Sequence, residues 1–276
     1  MANSNKLSKS AEQNAVLTLG DVTIRFGGLT AVNGVSMSVK RGSIVGLIGP
    51  NGAGKTTAFN VITGFYKPSS GYVEFTPPNA PPMKITGLDP HKICKAGIAR
   101  TFQNIRLFGN GTVLENVMTG AYVRQKSKWW MNILPVFPGA IREEREIRRQ
   151  AAVLLERLDL IRFMNAHAAS LPYGAQRRLE IARALATKPS FLLLDEPAAG
   201  MNPRESAELL GFIRTLRDEF DLSILLIEHD MKVVMGVCER IWVLDEGRLI
   251  ADGDSAAIRG NPRVIEAYLG KEASHA

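Results

Sequence analysis

From Val16 onward, apolar and polar residues alternate through VLTLGDVTIRF (16–26) and again through 30–39, with Gly27-Gly28 between the two runs. A period of two predicts two half-buried strands, and the glycine pair predicts the turn that joins them. SIVGLI at 43–48 is apolar without alternation, as in a parallel strand covered on both faces. A glycine-rich turn follows, then a helical stretch from Lys55 to about Thr63, with Gly64 placed to end it. PPNAPP carries four prolines in six residues, which excludes helix and central strand there. Strands are predicted on either side of that loop, at 71–75 and 83–86, and another over 98–102.

From 112 to 165 the pattern turns mostly helical. Ile147, Ala151, Leu154, Leu155 and Leu158 recur at helical spacing. Residues 174–187 predict another helix, with Leu179, Ala182, Leu185 and Ala186 on one side. FLLLD at 191–195 and SILLIE at 223–228 read as two more buried strands. Between them lies a helix over 203–220, opened by Asn202 as N-cap and Pro203 as first residue. A strand at 240–245, a turn at Glu246-Gly247, a strand at 248–252 and two short helices close the pattern. Strands alternating with helices predict an α/β fold with a mainly parallel sheet, interrupted by a helical insert over about 104–187. Residues 1–14 read as a mobile polar tail.

Composition changes this picture little. Across 276 residues, 45% apolar and 22% charged exclude a wholly disordered chain. No run approaches the ~18 to 20 apolar residues that cross a bilayer, which predicts a chain soluble on its own. The net charge of +7 suits nucleic acid, anionic lipid or a phosphate-bearing ligand without choosing among them. Cys94 and Cys238 form no metal-spacing pattern, the usage of a reducing compartment. The first residues contain no apolar core of a secretory signal.

Candidate chemistry sits at the strand ends. Gly49-Pro50-Asn51-Gly52-Ala53-Gly54-Lys55-Thr56 fits G-x-x-x-x-G-K-[ST] after a predicted strand and before a helix, the context that a phosphate-binding loop requires. Its glycines let backbone N–H groups turn toward phosphate oxygens, and the helix N-terminus adds roughly half a positive charge. Lys55 offers a point charge to the β- and γ-phosphates; Thr56 offers a hydroxyl to Mg²⁺, with Thr57 beside it in the nucleotide site. Asp195 ends an apolar strand where a carboxylate can hold Mg²⁺. Glu196 follows where a base can polarise attacking water, and His229 ends another strand within reach of a γ-phosphate.

LPYGAQRRLEIARALA at 171–186 lies between the phosphate loop and Asp195 and resembles the signature motif of ATP-binding-cassette (ABC) ATPases, usually written LSGGQ. The order of phosphate loop, Gln103 in RTFQNIRLF, signature, LLLDEP, AAGMN and His229 is that family's order, over about residues 16–270. The resemblance implies a P-loop NTPase (RecA-like) core with an antiparallel β subdomain and an inserted α-helical subdomain, together an L-shaped nucleotide-binding domain. The core would be 15–103 with 188–276, and the helical subdomain 104–187. It implies that Phe26 stacks on adenine, Gln103 touches Mg²⁺ or water, Glu196 is the catalytic base, His229 the switch histidine, and Asn202 stands at the D-loop position. ATP and Mg²⁺ are the implied cofactors.

The signature departs from the pattern. Pro172 replaces the serine and Ala175 the usual glutamine, so γ-phosphate contact from Tyr173, Gly174, Ala175 and Gln176 would rest on Gly174 and the helix N-terminus. One phosphate loop and one signature per chain imply a dimer, since each ATP would lie between the loop of one subunit and the signature of another. DEPAAGMNP joined to IEHDM, the ending NPRVIEAYLG (261–270), and an insert near 122–140 with Trp129, Trp130, Pro135 and Pro138 resemble the larger ATPase of the branched-chain (hydrophobic) amino acid importers. Trp129, Trp130, Leu134 and Phe137 would be either core of the helical subdomain or a docking surface.

That resemblance implies a second ATPase subunit, two transmembrane permease subunits, an extracytoplasmic solute-binding protein acting indirectly, and a place on the cytoplasmic face of the bacterial inner membrane. A urea or amide importer and the lipopolysaccharide-export ATPase are the nearest alternatives. A soluble ABC ATPase acting on nucleic acid is the alternative of another class; it usually has two cassettes or a long coiled coil, and no nucleic acid is expected here.

Overall fold

The computed structural model describes residues 14–125 and 138–272. The expected tail, apart from Asn14, and the tryptophan-bearing stretch (Trp129, Trp130, Leu134, Pro135 and Phe137) lie outside the described residues. The chain divides into two compact units, Met1–Arg100 with Ser190–Ala276, and Thr101–Pro189.

The first unit holds two sheets. Strands β1 (Ala15–Phe26), β2 (Leu29–Lys40), β4 (Ser70–Phe75) and β5 (Met83–Lys84) form an antiparallel sheet in the order β2-β1-β4-β5. The β1–β2 hairpin closes with Phe26 opposite Leu29. β5 is only two residues long: Pro81 and Pro82 before it have no N–H for the ladder, and after it the Thr86 hydroxyl, in place of a backbone carbonyl, accepts the Val73 N–H.

The other sheet contains β3 (Ile44–Ile48), β6 (Ile98–Arg100), β7 (Phe191–Asp195), β8 (Ser223–Ile227), β9 (Arg240–Asp245) and β10 (Arg248–Gly253), in the order β10-β9-β3-β8-β7-β6. All are parallel except β10, which pairs antiparallel with β9. Every residue of β3, β7 and β8 is buried, which explains why those runs show no alternation. A continuous core of Val16, Leu19, Val32, Phe59, Ile62, Phe75, Phe191 and Trp242 ties the two sheets together.

Helices α1 (Lys55–Ile62), α2 (Pro90–Ala96), α6 (Pro203–Phe220), α7 (Met231–Val237), α8 (Ser255–Arg259) and α9 (Pro262–Glu272) belong to this unit. α6 starts with a reciprocal cap. The Asn202 side chain accepts from the N–H groups of Arg204 and Glu205, and the Glu205 carboxylate accepts from the Asn202 N–H. The hydrophobic pattern did not predict α2 and α7, which have seven residues each and are too short to show a period. Their starts were nonetheless written in the chain, as Asp89-Pro90 and as Asp230, whose carboxylate accepts the Lys232 N–H.

The second unit packs α3 (Val113–Ala121), α4 (Pro138–Arg157) and α5 (Tyr173–Ala186). Ile147, Ala151, Leu154, Leu155 and Leu158 form the buried stripe that their spacing predicted. α5 carries a buried ion pair. Arg177 and Glu180 are fully buried and pair at 2.8 Å. The Arg177 guanidinium donates to the carbonyls of Phe102 and Gln103, at 2.8 and 3.0 Å. Glu180 accepts the Phe102 N–H. The strand expected over 98–102 therefore stops at Arg100, because the next backbone groups bond to side chains of α5 rather than to a neighbouring strand.

Candidate active site

Leu47 of β3 pairs with Ile227 of β8, and Ile227 pairs with Asp195 of β7. Three parallel strands thus end in one row, with neighbours spaced about 4.8 Å apart. Three chain segments leave the sheet along that row: the loop 49–54 after β3, Asp195-Glu196 at the end of β7, and Glu228-His229 after β8. The outer ends of parallel strands are where α/β folds bind their ligands.

The loop is shaped by glycine. Gly49 has φ +149°, and a Cβ on it would lie 2.0 Å from the carbonyl oxygen of Leu244. Gly54, the left-handed N-cap of α1 with φ +98°, would meet the Ala31 carbonyl at 2.5 Å. The backbone can follow this path only without side chains at those positions. Lys55 is 7% exposed, and its Nζ donates to the carbonyls of Gly49 and Pro50, at 2.6 and 2.9 Å. The ammonium is thereby folded over the concavity. Asn51, Gly52 and Thr56 are exposed, Thr57 is half-buried, and Pro50 and Ala53 are buried beneath the loop.

Asp195 is 3% exposed and forms a 2.7 Å ion pair with Arg100. Glu196 adopts φ +45°, a conformation unusual for a residue with a side chain, and its N–H donates to the Ile227 carbonyl. That turn carries the Glu196 carboxylate off the strand end, where it is 20% exposed. His229 Nδ1 lies 3.8 Å from Glu196 and 3.9 Å from Glu228, within ion-pair range and too long for a hydrogen bond. Burial pushes the Glu228 carboxyl up, opposed by the Ala198 N–H that it accepts at 2.9 Å. A buried carboxylate thus pins the segment after Glu196.

Phe26 stands at the hairpin end of β1 with 45% of its surface exposed, and Tyr66 packs edge-on against it at 5.1 Å. A flat apolar platform at the mouth of a sheet suits a stacked base.

Within the second unit, Gln103 is exposed and its backbone is held by Arg177. Pro172 is the N-cap of α5, and its carbonyl accepts the N–H groups of Ala175 and Gln176. The Gln176 amide donates back to the Leu171 carbonyl at 2.8 Å, so this side chain shapes the turn. Tyr173 is 46% exposed at the helix start, with Gly174 behind it.

A divalent cation fits the donors present. Thr56 offers a hydroxyl and Asp195 a fixed carboxylate, both hard oxygen ligands of the first unit. No group of three His, Cys, Asp or Glu gathers as a metal cage among the described residues. Such a set suits Mg²⁺, which binds through one or two protein oxygens and the phosphates of its substrate. Arg100, Glu228 and Tyr66 escaped the sequence reading as site residues. Arg100 left one signal, a charge inside a strand-like run.

The pattern of the ABC transporter family matches residues 32–199, and the chain belongs to that family. It is an ATP-binding protein that couples ATP hydrolysis to transport. Within the family it falls in the branched-chain amino acid ATP-binding cassette branch, whose pattern matches residues 248–274. It is 46% identical over 256 residues to the high-affinity branched-chain amino acid transport ATP-binding protein BraF of Pseudomonas aeruginosa, covering 93% of this chain and 98% of BraF. The same identity and coverage hold for LivG of Escherichia coli K12, a protein of the same description. Among solved structures, the ADP conformation of MJ1267, an ATP-binding cassette of an ABC transporter, superposes with a TM-score of 0.79. Its identity is 32%, over 93% of this chain and 99% of that one. No helix of the described residues is long and apolar enough to cross a membrane.

Proposed function

We propose that the chain is the larger ATP-hydrolysing subunit of an importer for branched-chain amino acids, working on the cytoplasmic face of the membrane. The row of strand ends carrying the phosphate loop, Asp195-Glu196 and Glu228-His229 supports the chemistry. The descriptions of its 46%-identical relatives support the cargo.

ATP places its base on Phe26 and its phosphates over the N–H groups of 49–57 at the start of α1, where the helix field favours anions. The Lys55 amine exchanges its carbonyl partners for phosphate oxygens. Thr56 and Asp195 would hold Mg²⁺, which would supply charge neutralisation at the phosphates. Glu196, turned off the sheet by its left-handed backbone, accepts the proton of the attacking water, and His229 beside it orients the γ-phosphate. Gly174 and the N-terminus of α5, with Tyr173, Ala175 and Gln176 around them, serve the ATP of a partner subunit. One loop and one signature per chain call for a dimer, formed with a second ATPase beneath two permease subunits.

The test is to purify the tagged chain from membranes of its own host and identify what accompanies it by mass spectrometry. Two permease subunits and a second ATPase are expected. Recovery with export proteins, DNA or ribosomes and no permease would overturn the importer reading.

A further inference from the structure

Arg100 is the last residue of β6, and its side chain is 7% exposed. Its Nη2 donates to Asp195 Oδ2 at 2.7 Å, while Nη1 donates to Asn60 Oδ1 at 2.6 Å and to Thr63 Oγ1 at 3.3 Å. The rings of Phe59 and Phe65 lie 5.5 and 6.0 Å from its guanidinium carbon. Asn60 lies in the helix that the phosphate loop opens, and Thr63 caps that helix. One planar cation therefore joins three elements: the helix that begins with Lys55 and Thr56, the strand β6, and the carboxylate at the end of β7.

The sheet does not need this arrangement. β6 and β7 are already paired through their backbones, from Ile98 opposite Phe191 to Arg100 opposite Leu193. Burying a guanidinium is costly, and an apolar side chain of the same volume often does as well for stability. What the guanidinium adds is direction. Its rigid fork holds the carboxylate through Nη2 at a fixed angle to Asn60 and Thr63, held through Nη1, which a lysine or an apolar residue cannot do.

We propose that Arg100 is a positioning residue for ATP hydrolysis. It fixes the Asp195 carboxylate toward a divalent cation and locks that orientation to the helix carrying Lys55 and Thr56. This rests on the reading that Asp195 holds Mg²⁺.

The experiment uses the purified full chain, with Mg²⁺ as the probe at saturating ATP. Two quantities are read: the Mg²⁺ concentration giving half-maximal hydrolysis, and the rise in melting temperature that Mg²⁺ adds beyond ATP alone. Arg100→Met is expected to raise the half-maximal Mg²⁺ about 10- to 100-fold, the usual loss when a group orienting a metal ligand is removed. It should also lose most of the Mg²⁺-dependent rise while keeping its affinity for ATP without Mg²⁺. Arg100→Lys, which keeps the charge and loses the fork, should fall between Arg100→Met and the wild type. If Arg100→Met does not fold, Asn60→Ala removes an anchor of the same guanidinium and should move the half-maximal Mg²⁺ upward by a smaller factor. An unchanged Mg²⁺ requirement in Arg100→Met, or in Asn60→Ala where that is the variant available, overturns the proposal. So does an equal loss of ATP binding without Mg²⁺. Asp195→Asn separates the two levels. If it too leaves the Mg²⁺ requirement unchanged, the metal role of Asp195 falls and the proposal falls with it. If it shifts the requirement and Arg100→Met does not, only the role of Arg100 falls.

Discussion

Replacing Glu180 by glutamine isolates the charge at the centre of the second unit. The amide has nearly the volume of the carboxylate and keeps an oxygen for the Phe102 N–H. What disappears is the negative charge opposite Arg177, a guanidinium with no exposed surface. Breaking a buried pair by removing one partner costs about 3–5 kcal/mol. The Phe102 and Gln103 carbonyls still receive Arg177, which puts Glu180→Gln near the lower end, about 3 kcal/mol. Glu180→Ala also orphans the Phe102 N–H and should cost roughly 1–3 kcal/mol more. Hydrogen exchange read by mass spectrometry suits the case, because it reports each unit separately. A loss of 3 kcal/mol accelerates exchange in α3 and α5 about 100-fold, at about tenfold per 1.4 kcal/mol. Exchange in β7 and β8 should not change. The double variant Arg177→Met, Glu180→Leu removes both charges and should recover most of the protection. Acceleration of less than about fivefold in Glu180→Gln, or a double variant worse than the single one, would refute the argument.

Gly49→Ala should lower the melting temperature and abolish ATP binding, since a left-handed φ and a 2.0 Å approach to the Leu244 carbonyl together strain the loop by about 1–3 kcal/mol; normal nucleotide binding would contradict the loop geometry. Phe26→Ala should weaken ATP binding by about 5- to 100-fold, the worth of one base stacked on an aromatic ring, and Phe26→Tyr should restore it. Burial pushes the Cys238 thiol up to about 12 from its ordinary 9.0, so its contribution to stability is fully present below pH 9.0 and is lost as pH rises toward 12, where the unfolded thiol ionises first. Urea unfolding across that range should show a shallower alkaline decline in Cys238→Ala than in the wild type. Maleimide should label half-buried Cys94 well before buried Cys238 in the native protein.

The central strands were legible because burial on both faces writes itself as an unbroken apolar run, as at 44–48, 191–195 and 223–227. The phosphate loop was legible because its glycines and lysine are contiguous. Arg100 and Asp195 are 95 positions apart and meet only through the ladder of β6 on β7, an order that no local pattern encodes. Glu228 looked like an ordinary acidic strand end; its role lies in the Ala198 N–H thirty residues away. The two seven-residue helices α2 and α7 fell below the length at which periodicity speaks, and only their caps announced them.

Leucine uptake in a host strain deleted for this chain, complemented with wild type or with Glu196→Gln, tests the central claim most directly. The account predicts that wild type restores uptake and that Glu196→Gln, still binding ATP, falls short by about 10²–10⁴-fold, the contribution of a positioned base. Full uptake with Glu196→Gln, or uptake indifferent to the loss of the chain, would contradict it.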